Sequence, residues 1–144
     1  MTDLEIAWQK LETESLAFVL VRDGKVIASG DDYGVVQLVE ATYRLGDAMH
    51  GASLADKVVG KAVALVAVHA KLRAVDTRLA SEGAVAFLRK HGIPISARTL
   101  IPNILNRRRD GLCPMEALTQ PIDDASTGVA KLREFIAARR AAAG

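Results

Sequence analysis

Residues Ser53–His69, SLADKVVGKAVALVAVH, decide how the rest of the chain is read. The second half is apolar on every side, which predicts a helix covered by other elements at the centre of a domain. The first half is amphipathic and extends the predicted helix over the whole stretch, a rod of roughly 25 Å at about 1.5 Å per residue. Asp56, Lys57, Gly60 and Lys61 punctuate it too closely for a membrane span, which wants about 20 apolar residues. Ser53, following Gly51, is expected as the N-cap, with Asp56 at N3 where a carboxylate meets the positive end of the helix dipole. Lys57 and Lys61, four apart, then share a face, and Gly60 beside them lets something approach the backbone closely. Two readings stand side by side. The plain one is a capped helix with two solvated lysines. The sharper one is an anion site, where free N–H groups, a small residue and two ammonium groups converge at one helix end.

The chain around this stretch has 144 residues, enough for one domain (1–144) with a real core. Half the residues are hydrophobic and a quarter charged, a globular composition rather than a disordered one. A net charge of +2 is too small to argue for nucleic acid. The single cysteine excludes an internal disulfide and suits a reducing compartment. The first fifteen residues, MTDLEIAWQKLETES, are acidic and lack the apolar core of a signal peptide. The expected location is the cytoplasm.

In chain order, Leu4, Ala7, Trp8 and Leu11 predict an amphipathic helix over Asp3–Glu14, capped by Thr2 or Asp3. Ala17–Ser29 reads as a β-hairpin around Asp23-Gly24. Gly34–Leu45 suggests a short helix, and Gly46–Gly51 a loop into the central element. Leu72–Thr77 reads as a buried strand, and Ala80–His91 as a helix that Ser81 can cap and Gly92 can stop. Ile93–Ala97 follows as a strand, placed at a sheet edge by Pro94. Thr99–Leu105 is read as helical turn around Pro102, and Asn106–Gly111 as a charged loop. Cys113–Leu118 opens a short helix with Pro114 at N1. Thr127–Arg140 closes the chain as a helix, with Leu132, Phe135 and Ile136 inward. This order predicts a layered α/β domain with a parallel pair between residues 72 and 97.

The most distinctive polar segment is Asn106–Glu116, NRRRDGLCPME. A cysteine just before a helix is where free N–H groups stabilise a thiolate, so Cys113 is a candidate nucleophile or redox thiol. Free cysteines are also among the most buried residues, so Cys113 equally suits a pocket wall or the core. Glu116 can close a helix cap or act as a polar site group. His50, His69 and His91 are scattered and no Cys-x-x-Cys pair exists, so no metal is assigned. No Gly-rich phosphate loop and no Gly-x-Ser-x-Gly elbow occurs.

The segments SLAFVLVRDGKVIASG, GASLADKVVGKAVAL, LASEGAVAFLRKHGI and NRRRDGLCPMEA together resemble a family of small prokaryotic domains of unknown function with a cytidine-deaminase-like fold. The resemblance covers about Ser15 to Leu118. It implies a three-layer α/β sandwich, with a central mixed sheet beginning with a β-hairpin and helices on both faces. The core would span about 15–120, and a C-terminal helix about 126–142 would follow. Deaminases place His-Ala-Glu or Cys-Ala-Glu at the start of the first core helix and Pro-Cys-x-x-Cys at the start of the next. With the central helix starting at Ser53, the first position reads Leu54-Ala55-Asp56-Lys57. The second reads Thr77-Arg78-Leu79-Ala80-Ser81-Glu82, and neither holds a zinc ligand.

The leading expectation is therefore a deaminase-fold protein that binds a nucleotide-like or other anionic small ligand without zinc, any other cofactor or a membrane. Ser53, Asp56, Lys57 and Lys61 would line one helix start, Ser81 and Glu82 the second, and Asn106, Arg107, Cys113 and Glu116 would close the site. The alternatives are an enzyme using Cys113 and a homo-oligomeric structural or interaction module.

Overall fold

Asp23 and Gly24 both adopt positive φ, 51° and 78°, which matches the twist of the strands they join. They connect β1 (Phe18–Arg22) to β2 (Lys25–Gly30) in the expected antiparallel hairpin. The computed structural model describes residues 1–32 and 35–143. Ahead of the hairpin, α1 (Asp3–Thr13) starts at Thr2, which forms a reciprocal capping box with Glu5. After it, α2 (Val36–Leu45) runs into a short 3-10 turn at Gly46–Met49. Gly34, the expected start of α2, lies outside the described residues.

The decisive stretch is two elements. Ser53–Val59 is a strand, β3, and only Lys61–His69 is helix, α3, with Gly60 between them as N-cap. Ser53 therefore caps nothing, and Asp56 and Lys57 stand in a strand. The physical reason is that β3 is buried on both faces. Leu54 faces the large core with Phe18 and Leu20, while Ala55 faces a second cluster with Val19, Val21, Ala7 and Leu11 of α1. Such a strand loses the alternation that would betray it. β3 lies antiparallel to β1 on one side and parallel to β4 (Ala74–Ser81) on the other.

β4 continues four residues past the expected end at Thr77, and α4 (Glu82–Lys90) follows directly. β5 (Ile95–Ile101) is also longer than expected. Thr99, Leu100 and Ile101 pair with Leu79, Ala80 and Ser81 rather than forming helical turn. Pro102, which has no N–H to donate, comes directly after. The sheet order is β2-β1-β3-β4-β5, so β5 is an edge, as Pro94 suggested. α5 (Pro114–Thr119) and α6 (Ala125–Ala143) complete the chain. α3 is buried along Lys61–Ala67 and packs against α4, α5 and α6. Gly128 makes the α6 contact possible, because a Cβ there would lie 2.7 Å from Leu65 Cδ1. The result is an α/β sandwich with the large core on the α2–α6 side of the sheet and α1 on the other.

Candidate functional site

The pairing of β3 with β4 ends at Val59 and Ala80, and each strand then turns at once into a helix. The approach to this point is irregular in both strands. Asp56 and Thr77 are register partners, and the pairing resumes at Val58 and Leu79. Asp56 Oδ1 accepts from the Val58 N–H at 3.1 Å, and Thr77 Oγ1 accepts from the Leu79 N–H at 3.3 Å. Short polar side chains that bond the backbone two residues on compete with regular pairing. Burial pushes the Asp56 carboxyl up to about 8, against the lowering effect of the Val58 and Lys57 N–H groups.

The start of α3 is occupied by the chain's own carboxylate. Glu116, on α5 and 5% exposed, accepts from the Lys61 N–H at 2.9 Å through Oε2 and from the Ala62 N–H at 3.2 Å through Oε1. These are the free amides that an external anion would use. Gly60 is the condition for this contact, because a Cβ there would lie 2.5 Å from Glu116 Cδ. The Lys61 side chain, 10% exposed, points Nζ at the Gln120 carbonyl (3.3 Å) and at Asp123 Oδ1 (3.6 Å), and lies over the Phe87 ring. At the neighbouring helix start, Ser81 Oγ accepts from the Ala84 N–H at 3.2 Å, the cap expected from sequence.

Between these helix starts opens a cavity of about 250 Å³, lined by Lys61, Ser81, Gly83, Pro102, Asn103, Glu116 and Gln120. Gln120 Nε2 donates to Asn103 Oδ1 at 2.9 Å across its mouth. Of the ten residues expected to form a site, Lys61, Ser81 and Glu116 are brought together here. Ser53 begins β3, at the opposite end of the strand, roughly 20 Å away at about 3.3 Å per residue. Asp56 and Lys57 lie along β3 rather than on a helix face with Lys61. Glu82 is exposed on α4 outside the lining. Asn106 closes its own turn by bonding Asp110, and Arg107 is exposed in that turn. Cys113 is half-buried against the large core as N-cap of α5 and does not line the cavity. Gly83, Pro102, Asn103 and Gln120 also line the cavity; the sequence reading sets Pro102 and Asn103 in a helical turn instead of just past β5, and no motif marks Gly83 or Gln120. The same reading did single out Gly60 as a close-approach position, and the approaching group is Glu116.

The corrected start of the first core helix reads Gly60-Lys61-Ala62, and that of the second reads Ser81-Glu82-Gly83-Ala84. Neither contains His or Cys. Among the described residues no group of three or more His, Cys, Asp or Glu side chains is placed to hold a metal ion. No described helix is long and apolar enough to cross a membrane.

The sequence pattern of the TM1506 domain of unknown function (DUF1893) matches residues 6–136. The crystal structure of a DUF1893 protein from Thermotoga maritima superposes with a TM-score of 0.83 at 26% identity, covering 91% of this chain and 88% of that one. Acinetobacter baumannii RibD superposes at 0.53 with 18% identity, over 67% of this chain and 35% of RibD. No curated protein sequence matches. RibD carries the cytidine-deaminase-like fold, and the likeness is one of fold. The chain belongs to the DUF1893 family and has a cytidine-deaminase-like α/β fold that lacks the zinc ligands at both helix starts.

Proposed function

We propose that this protein binds a small polar molecule, of nucleobase or pentose size, in the cavity at the C-terminal ends of β3, β4 and β5. The observation that carries this reading is Glu116 held in the Gly60 cradle, which builds one rigid polar wall. Open α/β sheets take their ligands outside the carboxyl ends of the parallel strands, where this cavity lies. At about 250 Å³ it falls just below the roughly 300–1,000 Å³ of sites for drug-sized ligands, which favours a fragment over a whole nucleotide. The charge balance argues the same way. Glu116 already serves the α3 amides, and Asp123 lies beside the Lys61 ammonium. No surplus positive charge is left for a phosphate, so recognition falls to hydrogen bonds from Asn103, Gln120 and Ser81. The nucleotide-like, anionic ligand read from the sequence is thereby narrowed to its uncharged portion.

The test is a thermal-shift panel of nucleobases, nucleosides and pentoses on wild type and on Asn103→Leu. A ligand that binds only the native state raises its melting temperature. The expected result is a shift in wild type that Asn103→Leu abolishes. No shift at millimolar concentration, or equal shifts in both proteins, refutes the reading.

A further inference from the structure

The anionic chemistry that the strand-end cavity does not suit has a place elsewhere. α2 and the C-terminal half of α6 border a groove of about 660 Å³, and no residue lining it lines the strand-end cavity. Its floor is apolar, from Val39 and Ile136, which are 2% and 7% exposed. Its rim carries three guanidinium groups, Arg44, Arg133 and Arg140, against one carboxylate, Glu40. Three minus one leaves two positive charges in surplus among the lining residues. Arg140 pairs with Glu40, which ties α6 to α2 at the rim. Arg133 lies over the Tyr43 ring, 3.7 Å from its centre, and Tyr43 itself is 47% exposed.

The combination is specific in chemical terms. A guanidinium stacked on an aromatic face keeps its N–H groups in its own plane, free to meet an acceptor edge-on. Planar N–H forks match phosphate oxygens two at a time, which an ammonium does not do. The groove volume lies within the roughly 300–1,000 Å³ of small-molecule sites. We infer that the α2–α6 groove binds a phosphate-bearing small molecule of the diphosphate class, with Arg44, Arg133 and Arg140 on the phosphates. The non-phosphate part lies on Val39 and Ile136 beside Tyr43. Glu40 sets the affinity by competing with the ligand for Arg140. This site stands independently of the strand-end cavity, and either can fail without the other.

The experiment is isothermal titration of the full chain with inorganic pyrophosphate, ADP and a single-stranded RNA oligonucleotide. Arg44, Arg133 and Glu40 are solvent-facing, so their substitution leaves the core intact. Binding of ADP and pyrophosphate is expected, about tenfold or more weaker in Arg133→Gln, since charge-assisted hydrogen bonds carry that much. Glu40→Gln is expected to bind several-fold tighter, because it removes the competing carboxylate, a gain that a merely structural role would not produce. Arg107→Gln, in the exposed turn, is expected to match wild type. ADP binding tighter than pyrophosphate identifies the apolar floor as part of the site, and equal binding identifies the phosphates alone. Absence of binding to both probes at millimolar concentration overturns the inference. So does unchanged binding in Arg133→Gln, or binding of RNA without binding of pyrophosphate.

Discussion

The carboxyl group of Glu116 occupies the space where a side chain on Gly60 would stand. A Cβ at Gly60 would lie 2.5 Å from Glu116 Cδ, and the Glu116 oxygens accept from the two amides that follow Gly60. The missing side chain and the carboxylate are therefore one device, which brings α5 onto the start of α3. Where a deaminase would place metal ligands at this helix start, the chain places its own anion.

Gly60→Ala is expected to destabilise by about 1–3 kcal/mol through overpacking. Glu116→Ala should cost a similar amount, about 1.5–3 kcal/mol, through loss of charge-assisted bonds to buried amides. Because both substitutions remove one contact, the double variant should cost little more than the worse single one. Urea denaturation of the four proteins measures this, and simple additivity would show that the two residues act separately.

Asp56 gives stability a defined pH dependence. Its carboxyl is pushed from 3.8 up to about 8 by burial, so the folded state holds a proton that the unfolded chain releases. The stability this contributes is fully present below about 3.8 and is lost as pH rises through about 8, where the folded state ionises as well. Asp56→Asn cannot ionise and should remove this loss. The variant should therefore gain on wild type between about pH 5 and about pH 8 by up to about 1.4 kcal/mol per pH unit, and then level off. Denaturation of both proteins across that range tests it, and a constant difference would place the Asp56 carboxyl in an ordinary environment.

Val63 is 6% exposed in the helix that α2, α4, α5, α6 and β3 cover. Val63→Asp places a carboxylate among the buried apolar residues of α3, at a cost of several kcal/mol against a total stability of about 5–15 kcal/mol. The variant is expected to be unfolded at room temperature by circular dichroism. A melting temperature equal to wild type would remove α3 from the core.

Zinc-dependent deamination needs an open zinc site, and the two helix starts offer Gly60-Lys61-Ala62 and Ser81-Glu82-Gly83-Ala84 in place of its ligands. Protein purified from zinc-supplemented culture is expected to carry far less than one zinc per chain and to leave cytidine unchanged. One stoichiometric zinc by elemental analysis, or deamination above background, would contradict the assignment.

Local chemistry was legible in the sequence wherever a few neighbouring residues decide the outcome. Asp23-Gly24 determines the hairpin, because both positions need positive φ. Thr2 and Ser81 cap their helices, and Pro114 starts α5, for equally local reasons. Leu132 and Ile136 mark the buried face of α6 by their spacing. The resemblance of whole segments carried the family and its fold, and with them the absence of zinc ligands.

What the tertiary structure alone decided is where β3 ends and what meets it. Ser53–Val59 is a strand because β1 and β4 pair with both its edges and apolar clusters cover both its faces. A strand buried on both faces has no period to distinguish it from a buried helix. Thr99–Ile101 is a different case, largely exposed in the edge strand, and became strand because β4 lay beside it. The site followed from those endpoints. Lys61, Ser81, Asn103 and the pair Glu116 and Gln120, four apart along α5 and its C-cap, come from four places in the chain, and no spacing in the sequence relates those places. Only the packing of α5 against α3 sets the Glu116 carboxylate over Gly60, because a contact so distant along the chain depends on every layer between them.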